Sequence, residues 1–276
     1  CLPLSQPRSA APCRATISTL WLRPNGKAAA RVLAVAAFWL TLWELLSLAV
    51  GQVLLLPGPL LVGQTLCRLA LTAAFWQAVG KTLLRILSGF FIGTAAGVCL
   101  AFLTFHLRIA ALLLRPLRHG IRAVPVASFI ILALIWIPTN LLPTCMVVLM
   151  VLPLVWSGVE SGLAEIDRSL LDMAAVYRLG WKKTLLRVRL PAVLPFFRTA
   201  CVNAMGLAWK SGIAAEVICR PYGSVGRMLQ EAKLYLETPE VFAWTAVVVV
   251  LSLILEKLLK AVVSGHGEGG DTWQLK

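Results

Sequence analysis

Lys210 stands inside a long apolar run, residues 192–217, in which almost every other side chain suits hydrocarbon. A charged group at the centre of a bilayer costs about 2.5–3.5 kcal/mol on insertion scales, so a lysine there needs a reason. Asn203, Gly206 and Lys210 follow at i, i+3 and i+7, which sets them on one helix face, and Ser211 is the next residue along. Such a face can line a route for a polar solute, and the lysine favours an anion. Snorkelling, or an ion pair with Glu44 or Glu216, is the structural alternative. Arg122, Pro125 and Ser128 make a second polar cluster. There Pro125 removes a helix hydrogen bond that the Ser128 hydroxyl can partly replace, and a structural kink is the plainer role beside solute contact.

Other chemistries find little support. His106, His119 and His266 all fall in connectors or in the tail, and no H-E-x-x-H string or Ser–His pairing occupies the apolar runs, so hydrolysis within the bilayer is not expected. The seven cysteines include no C-x-x-C pair and lie mostly inside apolar runs, where a thiol behaves as a small hydrophobe; no disulfide framework, metal site or cofactor is expected. Gly80-Lys81-Thr82 imitates the end of a phosphate-binding loop, but Phe75 stands where the first glycine belongs. The chain carries no nucleotide-hydrolysis motif of its own and is not expected to be an enzyme.

The elements that must position these residues follow from composition. Of 276 residues, 59% are hydrophobic and only 14% charged, where a soluble domain has about a quarter charged. This is a membrane protein. Its net charge of +14 is read as topology, with no nucleic-acid partner, because basic residues near span ends record orientation. Runs long enough to cross a bilayer occur at about 32–50, 86–105, 192–217 and 241–263, and the stretch 123–159, split by the prolines of "PTNLLP", supplies two more. The expected fold is therefore an all-α polytopic membrane protein of about six transmembrane helices. With the N-terminus inside, eighteen Lys and Arg fall on the inner side and six on the outer, which places both termini in the cytoplasm. Three domains are expected: a basic cytoplasmic segment 1–31, a permease-like body 32–263 and a flexible tail 264–276. The opening thirty residues lack an apolar core with a cleavage site and are not expected to form a secretory signal. Gly89, Gly93 and Gly97, at i, i+4 and i+8, offer a ridge for close helix packing inside the protein.

Between these runs lies "LLDMAAVYRLGWKKTLLRVRLP", residues 170–191, with Arg178, Lys182, Lys183, Arg187 and Arg189. Leu163, Ile166, Leu170, Ala174, Tyr177, Trp181 and Leu185 recur at steps of three and four as one apolar stripe, while Asp167, Arg168, Asp172, Arg178 and Lys182 lie off it. The pattern predicts a cytoplasmic amphipathic helix that either lies on lipid headgroups or enters a groove of a soluble partner.

This segment resembles the loop of transmembrane permease subunits of ATP-binding-cassette importers, whose pattern is E-A-A-x-x-x-G-x9-I-x-L-P. Counting back from Leu190-Pro191, Val188 takes the Ile position, Ala174 the second Ala, Met173 the first and Asp172 the Glu, with Ala175 following. The Gly position falls on Arg178, and Gly180 is two residues later. "LPGPLLV", "KTLLRILSGFFIGTAAGVCLAFL", "LRPLRHGIRAVPVASFIILALIWI" and "LPAVLPFFRTACVNAMGLAWKSGIAAEVI" are similar to the sulfonate, nitrate and taurine branch, in the same order across about residues 55–262. The resemblance implies a type I importer-like permease of the bacterial plasma (inner) membrane. It implies a coupling helix, with Leu170, Asp172, Ala174, Ala175, Tyr177, Arg178, Gly180, Trp181, Leu190 and Pro191 in or beside it. It also implies a second permease copy, two separate cytoplasmic ATPase subunits, an extracytoplasmic solute-binding protein and a small anionic solute. Ser128, Asn203, Lys210 and Ser211 are the candidates for the solute pathway. An ion-coupled carrier would need intramembrane acids or histidines, of which the runs hold few, Glu44 and Glu216 among them; a non-transporting membrane scaffold is the other alternative.

Overall fold

The structure, a computed structural model, describes residues 26–177 and 180–264. Most of the expected basic segment 1–31 and nearly all of the tail 264–276 therefore lie outside the described residues. α1 (Gly26–Val50) belongs to a unit of its own that ends at Gln52. The second unit, from Val53 onward, carries α2 (Pro59–Ala70), α3 (Ala73–His106), α4 (Arg108–Ala123), α5 (Val126–Ala133), α6 (Leu142–Ala164), α7 (Arg168–Val176), α8 (Trp181–Thr184), a π-turn (Leu185–Arg189), α9 (Leu190–Cys219), α10 (Val225–Leu234) and α11 (Thr238–Ser264).

Five helical stretches among the described residues are long and apolar enough to cross a membrane: 33–50, α3, α6, 185–219 and α11. They coincide with five of the six runs expected. The remaining one, at 123–137, holds no single helix of that length among the described residues: its helix is the eight-residue α5, about 12 Å long at 1.5 Å per residue against a ~30 Å hydrocarbon layer. The cause is local. Pro125 holds Val124 in extended backbone (φ −74, ψ 128), which ends α4, and turns carry the chain from Leu134 to Pro138. The basic connector before it, in turn, is a 16-residue amphipathic helix, α4, with Pro116 inside it.

α6 is the centre of the second unit, packed along its length between α3 and α9. The glycine ridge of α3 makes this contact possible. A Cβ on Gly89 would come within 2.8 Å of the Thr144 carbonyl oxygen, on Gly93 within 3.0 Å of Val151 Cβ, and on Gly97 within 2.9 Å of the Leu152 carbonyl oxygen. α6 answers toward α9 with Gly158, whose Cβ would stand 2.4 Å from that of Ala200. In lipid there is no hydrophobic drive between helices, so this backbone proximity and its dispersion contacts hold the bundle. Gly93→Leu is expected to destabilise the purified chain by about 1–3 kcal/mol or more, read as a lower midpoint in thermal unfolding; an unchanged midpoint would show that the helices separate there at no cost.

Caps fix the helix ends on one side of this bundle. Thr72 accepts from Phe75 N at 3.4 Å to open α3, and Ser224 accepts from Arg227 N at 3.1 Å to open α10. Arg220 closes α9 in the left-handed region at φ 52. α2 is tied to α11 by Arg68–Glu240 at 3.0 Å, and Phe75 stacks on Trp244 at 5.1 Å.

Candidate functional site

The segment expected to be one amphipathic helix from 163 to 185 is divided. α6 ends at Ala164. Asp167 then accepts a hydrogen bond from Ser169 N at 2.9 Å and caps α7; this bond holds the exposed Asp167 carboxyl below the usual carboxylate range. α7 runs only to Val176. A new start follows at Gly180, whose carbonyl accepts from Lys183 N at 2.9 Å and Thr184 N at 3.1 Å. The motif's break between two short helices is thus present, served by Gly180 beyond the motif's glycine position. Arg178 itself lies outside the described residues, as do the side chains of Ala175 and Trp181.

The division re-aims the stripe. Ala174 is buried at 2%, whereas Leu170, Met173, Val176 and Tyr177 are exposed, the last two at 80% and 72%. Asp172 is exposed beside them. A nine-residue helix and the residue after it that together turn four large apolar side chains outward present a surface suited to a partner. Further along, α8 is joined to α9 by the π-turn, where Leu190 N donates to the Leu185 carbonyl. Pro191 has no N–H to offer Arg187, and its ring crowds that carbonyl, so the turn widens to an i to i+5 bond.

On α9, Thr199, Asn203, Leu207 and Lys210 are exposed at successive turns and Gly206 is half-buried, so the helix face read from spacing exists. Ser211 is not on it. Ser211 is 4% exposed, and its hydroxyl donates to the Ala208 carbonyl at 3.2 Å, which commits it to the helix interior. A cleft of about 600 Å³ between α6 and α9 brings Asn203 together with Ser157, Ser161 and Thr199. Lys210 lies two turns beyond this cleft and pairs with no acid among the described residues. Ser128 is exposed on α5, which packs on α9 through Ile130 and Ala133 against Ala215 and Cys219; it does not line the cleft.

Glu216, one of the two acids considered for Lys210, is held elsewhere. It is wholly buried, accepts from Thr82 Oγ1 at 2.8 Å and from Gly226 N at 3.3 Å, and pairs with Arg85 Nη1 at 3.4 Å. Thr82 Oγ1 in turn accepts from Val225 N at 3.0 Å, and Arg85 Nη2 donates to the Tyr222 carbonyl at 3.2 Å. This network ties α3, α9 and the start of α10 into one node. Sequence reading missed it. Thr82 and Arg85, at i and i+3 on one face of α3, are polar side chains in a largely apolar helix, a signal of a buried partner but not of which one.

A second ionic group sits near the divided loop. Glu160 on α6 binds Arg118 of α4 and lies 3.9 Å from Arg115. The Arg118 guanidinium covers the Trp156 ring at 5.0 Å, and Trp156 Nε1 donates to Thr104 of α3 at 3.0 Å. Through these contacts α4 is fastened to both α6 and α3. Among the described residues no three His, Cys, Asp or Glu side chains gather to hold a metal.

Long apolar helices packed through glycines, a polar helix face and an exposed divided loop together define a multi-pass membrane permease. The chain belongs to the binding-protein-dependent transport system inner membrane component family, whose model matches residues 89–264. It is a permease subunit of an ABC importer. It is 33% identical over 224 residues to a probable ABC transporter permease protein of Brucella melitensis, covering 79% of this chain and 88% of that protein. It is 27% identical to the taurine transport system permease protein of Escherichia coli, covering 90% and 94%. Its fold is similar to the crystal structure of an amino acid ABC transporter, with a TM-score of 0.59 at 16% identity, covering 70% of this chain and 94% of that one.

Proposed function

We propose that two copies of this chain form the translocation pathway for a small anionic solute of the sulfonate, taurine or nitrate kind, with both termini in the cytoplasm. Two cytoplasmic ATPase subunits dock on residues 168–189 and an extracytoplasmic binding protein delivers the solute. The observation that carries this reading is the pair of exposed surfaces on one framework. α7 and the residue after it offer Leu170, Met173, Val176 and Tyr177 to a soluble partner, and α9, a helix long and apolar enough to cross a membrane, offers Asn203 and Lys210, for which lipid is a poor neighbour. A second copy set against the α9 face would enclose both residues in a water-filled route. The body 32–263 then acts as one permease domain, with the basic segment before it and the tail after it in the cytoplasm. The taurine permease relative supports a sulfonate-like solute, and an unpaired lysine suits one.

The test is ATP-driven uptake into proteoliposomes that hold the chain, its ATPase and its binding protein. Labelled taurine and an alkanesulfonate are offered separately. Lys210→Ala is expected to lower maximal uptake of the transported anion about tenfold, the worth of one charge-assisted hydrogen bond, while Lys210→Arg retains most of it. Equal uptake by Lys210→Ala and the native chain would remove Lys210 from the pathway.

A further inference from the structure

Beneath the π-turn lies a cavity of about 180 Å³, walled by Val98 and Phe102 of α3, Leu163 of α6, and Val193 and Phe197 of α9. The remaining walls are also apolar, and Arg189 joins them through its hydrocarbon stem, leaving its guanidinium outside the cavity. We propose that this cavity is a binding site for an anionic phospholipid, one acyl chain inside it and the headgroup phosphate on Arg189.

Three observations meet here. Water needs two to four polar partners, and these walls offer it none, since Arg189 lines the cavity with its hydrocarbon stem alone; a flexible hydrocarbon chain needs no polar partner and gains dispersion contacts on every side. Arg189 is half-buried yet, among the described residues, pairs with no acid, whereas Arg85 and Arg118 each hold a carboxylate. A partly desolvated guanidinium of this kind calls for an anion with planar or tetrahedral oxygens. Lys183 and Arg187 are exposed on the same segment and raise the positive potential where the headgroup would sit.

The π-turn is what assembles the site. In regular α geometry Leu185 and Leu190 would point to different sides of the helix. The wider i to i+5 turn brings them to one wall, with Arg189 beside them. The ligand therefore touches the turn through which α8 continues into α9. The cavity is separate from the polar cleft that holds Asn203, whose walls of serine and threonine suit a hydrated solute.

The experiment is native mass spectrometry of the detergent-solubilised chain titrated with dioleoyl phosphatidylglycerol or dioleoyl phosphatidylcholine. The native chain is expected to retain the phosphatidylglycerol in preference by about fivefold, the worth of one basic side chain near an anionic headgroup. Arg189→Gln should abolish the preference. Val98→Phe should fill the cavity and weaken the first-bound lipid of either kind. Arg108→Gln, a basic residue outside the cavity, should leave the preference intact. Equal retention of the two lipids by the native chain, a preference that survives Arg189→Gln, or a first-bound lipid held as tightly by Val98→Phe as by the native chain would overturn the assignment and leave only general attraction to basic residues.

Discussion

Arg85→Ala is expected to destabilise the chain by about 3–5 kcal/mol, because it strands a fully buried carboxylate without its cation. Glu216 would keep the hydroxyl of Thr82 and the amide of Gly226, but these neutral donors replace only part of what water and Arg85 supply. Glu216→Gln should cost less. Its amide oxygen still accepts from Thr82 or Gly226, and the cation left behind has a side chain 17% exposed and some access to water. The double change Arg85→Leu with Glu216→Leu should recover much of the loss, since apolar replacement of a buried pair is often neutral. Thermal unfolding of the four proteins in detergent orders them: native and double variant highest, Glu216→Gln between, Arg85→Ala lowest. If Arg85→Ala melts with the native protein, the node is not holding α3, α9 and α10 together.

The second large effect concerns the divided loop. Val176→Asp with Tyr177→Asp is expected to leave insertion and melting unchanged, because both side chains are exposed and make no core contacts. The same pair should weaken ATPase docking about thirtyfold or more, the cost of removing a central apolar anchor and burying charge in its place. Uptake should fall to near background, while ATP hydrolysis by the ATPase no longer responds to solute. Asp172→Asn, a change at the edge of this surface, should have a small effect, as rim charges do.

Hydrophobic run length located five spans, since a bilayer imposes its thickness on the sequence directly. At 123–137 composition is apolar enough, but Pro125 and Pro138 confine the regular helix to α5. Spacing likewise placed Gly89, Gly93 and Gly97 against a neighbour, because only a close approach makes three glycines on one face useful. Periodicity read Ala174 and Tyr177 as one face, but tertiary packing covers the first and bares the second. The break at Gly180 is a backbone event that side-chain pattern does not encode. Ser211 was assigned by adjacency to Lys210, yet adjacent helical residues point about 100° apart, and this one turns into the core. Glu216 illustrates the limit most clearly. Its partners Thr82 and Arg85 lie 134 and 131 residues away, and no local pattern joins them.

In this reading an exposed apolar helix, α7, receives a separate ATPase. That docking is tested most directly by solubilising the chain from its membrane in mild detergent, recovering it by an affinity tag and identifying what accompanies it. A cassette ATPase should co-purify with the native chain and be lost with Val176→Asp and Tyr177→Asp, while the variant's own yield and melting remain native. An ATPase retained in full by that variant would place the docking surface elsewhere than α7.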